Sequence, residues 1–234
     1  MKNFVVLIIA LGLLSCTKKT EKEQLISLRT ELESIKSCNY DLAYHKERLN
    51  SDRVENYSQH EIIHCEIPDS IFGYKWSKLA KYGPMHYDGL NIVQLFPEQK
   101  KAWCDTIKYV SCPLPISPGI IQIKSLINYS IENFNDCHIE VVERNDTILF
   151  KFRYNNLKIN FHSMTPFENK ADGDTTFCAL YLNKNLEPLR LEHKQNHQFV
   201  SNTFENFEKI NAENKDFNAL ENIPIDFKRK PIYN

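Results

Sequence analysis

The chain has 234 residues, with 29 basic and 30 acidic side chains giving a formal net charge of −1 at pH 7, and 42% of its residues are hydrophobic. That near-balance leaves no electrostatic footprint for nucleic acid, and a chain of this length can bury a full core as one large domain or two small ones. GxSxG, P-loop and GxGxxG strings are all absent, which removes the common signatures of serine hydrolases and of nucleotide binding.

The chain opens Met1-Lys2-Asn3 and then runs Phe4 to Leu14 without a polar residue before Ser15-Cys16. A helix over that run spans about 17 Å at roughly 1.5 Å per residue, against a bilayer core of about 30 Å, so the segment reads as a signal peptide and not as a mature membrane span. Leu13-Leu14-Ser15-Cys16 resembles the lipobox of bacterial lipoproteins. The resemblance implies cleavage that removes residues 1–15, diacylglycerol on the Cys16 thiol and acylation (palmitate in many members) of the new amine. Two or three acyl chains hold a protein to a membrane in a way that one chain does not. Thr17, standing where an aspartate retains such proteins at the inner membrane, implies the outer membrane, facing the periplasm or the medium.

Residues 16–24 are polar and suit a lipidated tether. From residue 25 to 50 apolar side chains recur at Leu25, Leu28, Leu32, Ile35, Leu42 and Leu49, with Asn39 and Lys46 at the intervening core positions. This heptad spacing predicts a helical stalk, either a coiled coil that makes a homo-oligomer through residues 25–49 or one amphipathic helix lying on its own domain.

Residues 51–112 predict a small α+β region, with strands over Glu61 to Ile67 and Leu90 to Phe96 and a short helix over Tyr74 to Tyr82. It contains His60-Glu61-Ile62-Ile63-His64, which matches HExxH. On a helix the two imidazoles share a face and can hold zinc while Glu61 acts as general base, the arrangement of the zinc metallopeptidases that the string resembles. In a strand His60 and His64 stand about 13 Å apart, too far for one ion. The flanking Ile62, Ile63, Cys65 and Ile67 favour the strand. Phe72, Tyr74, Trp76, Tyr82 and Tyr87 could line a groove but more often pack a core.

Cys112-Pro-Leu-Pro-Ile-Ser-Pro118 cannot be helical in its interior and marks a boundary between domains. A second domain over 117–223 begins with a helix capped by Ser117 and Pro118, with Ile120, Ile123, Ile127, Ile131 and Phe134 on one stripe. Runs at His138 to Val142, Ile148 to Phe152 and Leu157 to Phe161 predict an antiparallel meander, and Phe177 to Leu182 with Pro188 to Leu191 a further hairpin. A last helix is predicted from Asn202 through Phe207, Ile210 and Phe217, leaving residues 224–234 as a tail. The fold class expected is α+β: a coiled-coil-like N-terminal helix, a mixed α/β segment, and a C-terminal helix packed on an antiparallel meander.

Besides Cys16 there are Cys38, Cys65, Cys104, Cys112, Cys137 and Cys178, with no CxxC pair; Cys104 to Cys112 is the locally plausible disulfide. His193 and His197 repeat the i, i+4 spacing but read as solvated strand-end or loop residues, and Asp172-Gly-Asp174 as a polar turn. The expectation is therefore a lipid-anchored, non-enzymatic envelope module that binds a partner protein or envelope component. The alternatives are a zinc-dependent peptidase built on His60, Glu61 and His64, and a carrier in which the sheet curls around an apolar ligand.

Overall fold

The computed structural model describes residues 20–48, 51–64, 75–80, 83–106, 119–155, 157–159, 166–168, 175–195, 197–211, 219–220 and 223–231. The lipobox with Cys16, together with Cys65, Cys112, Ser117, Pro118 and Asp172 to Asp174, lies outside them. In chain order the elements are α1 (Glu21–Ser34), β1 (Ser37–Arg48), β2 (Val54–His64), β3 (Lys75–Ala80), β4 (Gly83–Tyr87), β5 (Asn91–Phe96) and β6 (Lys101–Thr106). There follow α2 (Gly119–Glu132), β7 (Cys137–Arg144), β8 (Thr147–Asn155), β9 (Leu157–Ile159), β10 (Pro166–Glu168), β11 (Thr175–Asn183), β12 (Pro188–Gln195), β13 (Gln198–Lys209) and β14 (Lys228–Pro231).

Twelve strands form one sheet in the order β14-β6-β5-β4-β3-β2-β1-β13-β12-β11-β8-β7, and β9 with β10 forms a separate pair. Every neighbour in the large sheet is antiparallel except β14 beside β6. This corrects the expected α+β class with its long stalk: the described residues form a mostly β, open sheet carrying the two helices α1 and α2.

The N-terminal helix forms where Thr20 caps it, with Glu23 completing a capping box, and it buries Leu25, Leu28 and Leu32. It stops at Ile35, whose backbone is extended. The heptad reading fails beyond that point because Cys38, Tyr40, Leu42 and Tyr44 are buried at period two along β1, so Leu42 belongs to a strand face. For the same reason Lys75–Ala80 within the predicted helix at 74–82 is a strand burying Trp76 and Lys78, and the predicted last helix is, from Asn202 to Lys209, part of β13, which buries Val200, Asn202 and Phe204; Phe217 lies outside the described residues.

Other expectations hold. The hairpin of β7 and β8 turns at Asn145, whose φ of 50° is left-handed, and β11 pairs β12 across 184–187. The third strand expected in the meander does not join it, since β8 has β11 as its other neighbour and β9 pairs only with β10. The two halves on either side of residues 112–118 share one sheet, because β1 pairs with β13.

Both helices lie on one face of the sheet. Twelve strands at about 4.8 Å would span roughly 50 Å if flat, while a 14-residue helix is about 21 Å long. Side chains from Ile92 in β5 to Ile139 in β7 nevertheless join one apolar core with α1 and α2. The sheet therefore curls around the helices, as open sheets of this width do. On its outer face a smaller core of Val93, Leu95 and Ala102 is covered by Ala219, Ile223 and Phe227.

Candidate functional site

Strand register sets three polar side chains in a row on the inner face: Tyr40 of β1 opposes Glu61 of β2, which opposes Lys78 of β3. All three are buried. The Tyr40 hydroxyl donates to Glu61 Oε2 and the Gln59 amide donates to Oε1. The Gly119 amide donates to the same Oε2 at 2.8 Å, and the Ile120 amide donates to the Tyr40 oxygen at 2.9 Å. The first two N–H groups of α2, which no helix can satisfy internally, thus end on the sheet, and a carboxylate sits at the positive end of the helix dipole.

Burial raises the Glu61 pKa above its ordinary value, opposed by the neighbouring Lys78 charge and by the hydrogen bonds just named. Burial pushes Lys78 down to about 8, with Glu61 pulling the other way. The Lys78 ammonium also stands 5.4 Å from the centre of the Trp76 ring. Two further polar pins hold α2 along its length: Asn202 of β13 donates to Gln122 at 2.9 Å, and Ser130 is hydrogen-bonded to the Tyr154 hydroxyl of β8. The cover helix is fastened to the sheet at its start, middle and end.

The HExxH string lies in β2, so the helical face that would gather its imidazoles is not formed. Glu61 points into the core as the seat of α2. His60 stands on the other face, its Nδ1 2.9 Å from Asp41 Oδ1, while Asp41 Oδ2 accepts from Asn206 at 2.8 Å. His64 ends the strand. Among the described residues no three His, Cys, Asp or Glu side chains gather to hold a metal. Beside Asp41 and His60 an open cleft of about 830 Å³ is lined also by Leu79, Phe96, Pro97 and Glu205.

The remaining candidates separate. His197 is exposed, but His193 is fully buried, correcting the solvated reading: its Nδ1 is 3.5 Å from Cys178 Sγ, and burial lowers its pKa to about 3. Of the aromatic cluster, Trp76 and Tyr87 are core residues with ring centres 5.9 Å apart; Phe72, Tyr74 and Tyr82 lie outside the described residues. Cys104 is partly exposed, and its expected partner Cys112 is not among the described residues. Sequence reasoning missed Tyr40, Lys78, Gln122 and Asn202. Their one signal is a polar residue at an inward position of an alternating strand or an apolar helix stripe.

No family model and no curated protein matches the chain. Among solved structures it is similar to a LolA superfamily protein from Nitrosomonas europaea, with 10% identity and a TM-score of 0.39 over 82% of this chain and 96% of that one. It is also similar to the lipoprotein LppX from Mycobacterium tuberculosis, with 10% identity and a TM-score of 0.43 over 81% of this chain and 97% of that one. LprF from Mycobacterium bovis gives 11% identity and a TM-score of 0.43 over 91% of this chain and all (100%) of that one.

Proposed function

We propose that the chain is a lipid-anchored envelope protein that binds an apolar ligand, an acyl chain or comparable lipid moiety, between its two helices and the inner face of the sheet. One observation carries the reading: among the described residues an open sheet lays Trp76, Tyr87, Phe150, Phe152 and Phe204 against the two short helices α1 and α2 as a single apolar core. Lifting the helices uncovers a continuous apolar surface, and α2 is held by a small set of polar bonds that can break and re-form. Such a surface is the kind that sequesters apolar ligands.

Anchoring is proposed at Cys16 in the outer membrane, on the strength of Leu13-Leu14-Ser15-Cys16 and Thr17. Replacement of Cys16 by Ala is expected to abolish incorporation of labelled palmitate. For the binding reading, the mature chain purified from a bacterial host is extracted and its lipids identified by mass spectrometry. Acyl lipid near one per chain is expected, and a disulfide between cysteines placed at Gln122 and Asn202 should block uptake of a fluorescent fatty acid. Lipid-free protein that takes up no fatty acid, clamped or unclamped, overturns the reading.

A further inference from the structure

The outer face of the sheet carries a feature unrelated to the inner core. Register aligns His138 of β7 with Arg153 of β8, Arg153 with Phe177 of β11, Phe177 with Lys194 of β12, and Lys194 with Phe199 of β13. Basic and phenyl groups therefore interleave along one cross-strand row, with Arg153 and Lys194 roughly 10 Å apart at about 5 Å per strand on either side of Phe177. Phe177 is 47% exposed. The row borders a groove of about 360 Å³ that is lined also by Ala179, the small residue two positions along β11 from Phe177.

Charge in the groove is one-sided. Of the acidic groups lining it, Glu140 is bonded to Lys151 and Glu192 to Arg190 and Tyr181. Arg153 and Lys194 are exposed and have no ion-pair partner among the described residues. Two unneutralised cations beside the exposed Phe177 ring, the half-buried Phe199 and an apolar dip attract a molecule with a negative head and an apolar body.

We propose that this groove is a second binding site, separate from the inner face, for one anionic amphiphile: a phosphate or carboxylate between Arg153 and Lys194, and an acyl chain along Phe177 over Ala179 toward Phe199. A dip of about 360 Å³ holds a single acyl chain.

The test is calorimetric titration of the mature chain with dodecyl phosphate below its micelle concentration, with inorganic phosphate and a neutral dodecyl glycoside as separate arms. Dodecyl phosphate should bind, and the double change Arg153→Gln/Lys194→Gln should weaken it at least tenfold, as should Ala179→Leu, which narrows the groove. Thermal unfolding confirms that the variants fold; the exposed Arg153 and Lys194 changes keep the test valid if Ala179→Leu does not. No binding, or unchanged binding in the double variant, overturns the site. Equal affinity for inorganic phosphate makes it a plain anion site and also overturns the proposal. The result is independent of the inner-face reading, since lipid co-purified there should survive both variants.

Discussion

Glu61 Oε2 lies 2.8 Å from the backbone nitrogen of Gly119 and accepts its hydrogen, tying residues 58 apart in sequence. A strand in the middle of the sheet thereby fixes where α2 begins. The bond also explains why a glutamate is tolerated in a core. Its lone pairs are taken by Tyr40, Gln59 and the helix, and its charge is opposed by Lys78 and the helix dipole.

Replacing Glu61 by Ala should therefore cost about 3 to 5 kcal/mol, because it strands the Lys78 charge and leaves the Tyr40 hydroxyl and the Gly119 amide without their acceptor. Glu61→Gln keeps one oxygen for Gly119 but turns a second amide donor toward Gln59, and should cost about 1 to 3 kcal/mol. Urea midpoints at pH 7 measure both. A Glu61→Ala protein as stable as the parent would show that the cluster does not hold α2.

Lys78 gives the molecule an alkaline signature. Burial holds its folded pKa at about 8 against an ordinary value of 10.5, so above pH 8 this lysine binds more protons in the unfolded chain than in the folded one and its contribution to stability rises with pH. Between pH 8 and 10 that contribution should grow by about 2 kcal/mol, while the buried Cys137 and Cys178 thiols, held protonated in the fold, oppose it as their unfolded counterparts ionise. The stability of the parent relative to Lys78→Met should therefore rise by about 2 kcal/mol over this range; a difference that stays constant with pH would show that Lys78 does not titrate there.

His193 acts at the acid end. Its folded pKa of about 3, against 6.5 in the unfolded chain, means that the folded state resists protonation: its contribution is complete above pH 6.5 and is lost as pH falls toward 3. The loss between pH 6.5 and 4 should be about 3 kcal/mol. His193→Leu, which cannot be protonated, should unfold less readily in acid than the parent when each is compared with its own stability at pH 7.

Much of the sheet was legible wherever one face stays apolar. The alternation Phe150, Phe152, Tyr154 and the turn at Asn145 mark β7 and β8 without help from tertiary structure. The misread strands are those whose inward positions carry polar groups. In β13 Asn202 interrupts the apolar face because it binds Gln122, and in β3 Lys78 does so because it faces Glu61. Each of those residues is satisfied only by a partner far away in the chain, which local periodicity cannot register. For β1 the leucines of α1 run on in phase into Leu42, and the change of period shows only in Cys38, Tyr40 and Tyr44. The Glu61 cluster was hidden by a different coincidence: the spacing of HExxH drew its glutamate toward a metal, while register gave it to a helix terminus.

The same helix terminus makes a last pair of substitutions informative. A Cβ on Gly119 would stand 2.8 Å from the Phe204 ring and 3.0 Å from Leu42 Cδ1, so Gly119→Ala requires the Phe204 ring, Leu42 or the start of α2 to move. Overpacking of this kind costs about 1 to 3 kcal/mol, offset in part by the better helix propensity of Ala. Leu42 and Phe204 are both buried in the core, so the start of α2 takes up part of the shift and its bond to Glu61 lengthens; the change should then be non-additive with Glu61→Gln, the pair costing less than the two singles combined. Gly83→Ala is the control of a different kind. Its φ of +127° suits glycine alone, and a Cβ there would collide with the Leu95 carbonyl, a backbone atom that cannot turn aside. It should cost more than Gly119→Ala and add simply to Glu61→Gln. Denaturation of the three single and two double variants separates the cases, and strict additivity of Gly119→Ala with Glu61→Gln would mean that the seat of α2 does not depend on the Glu61 carboxylate.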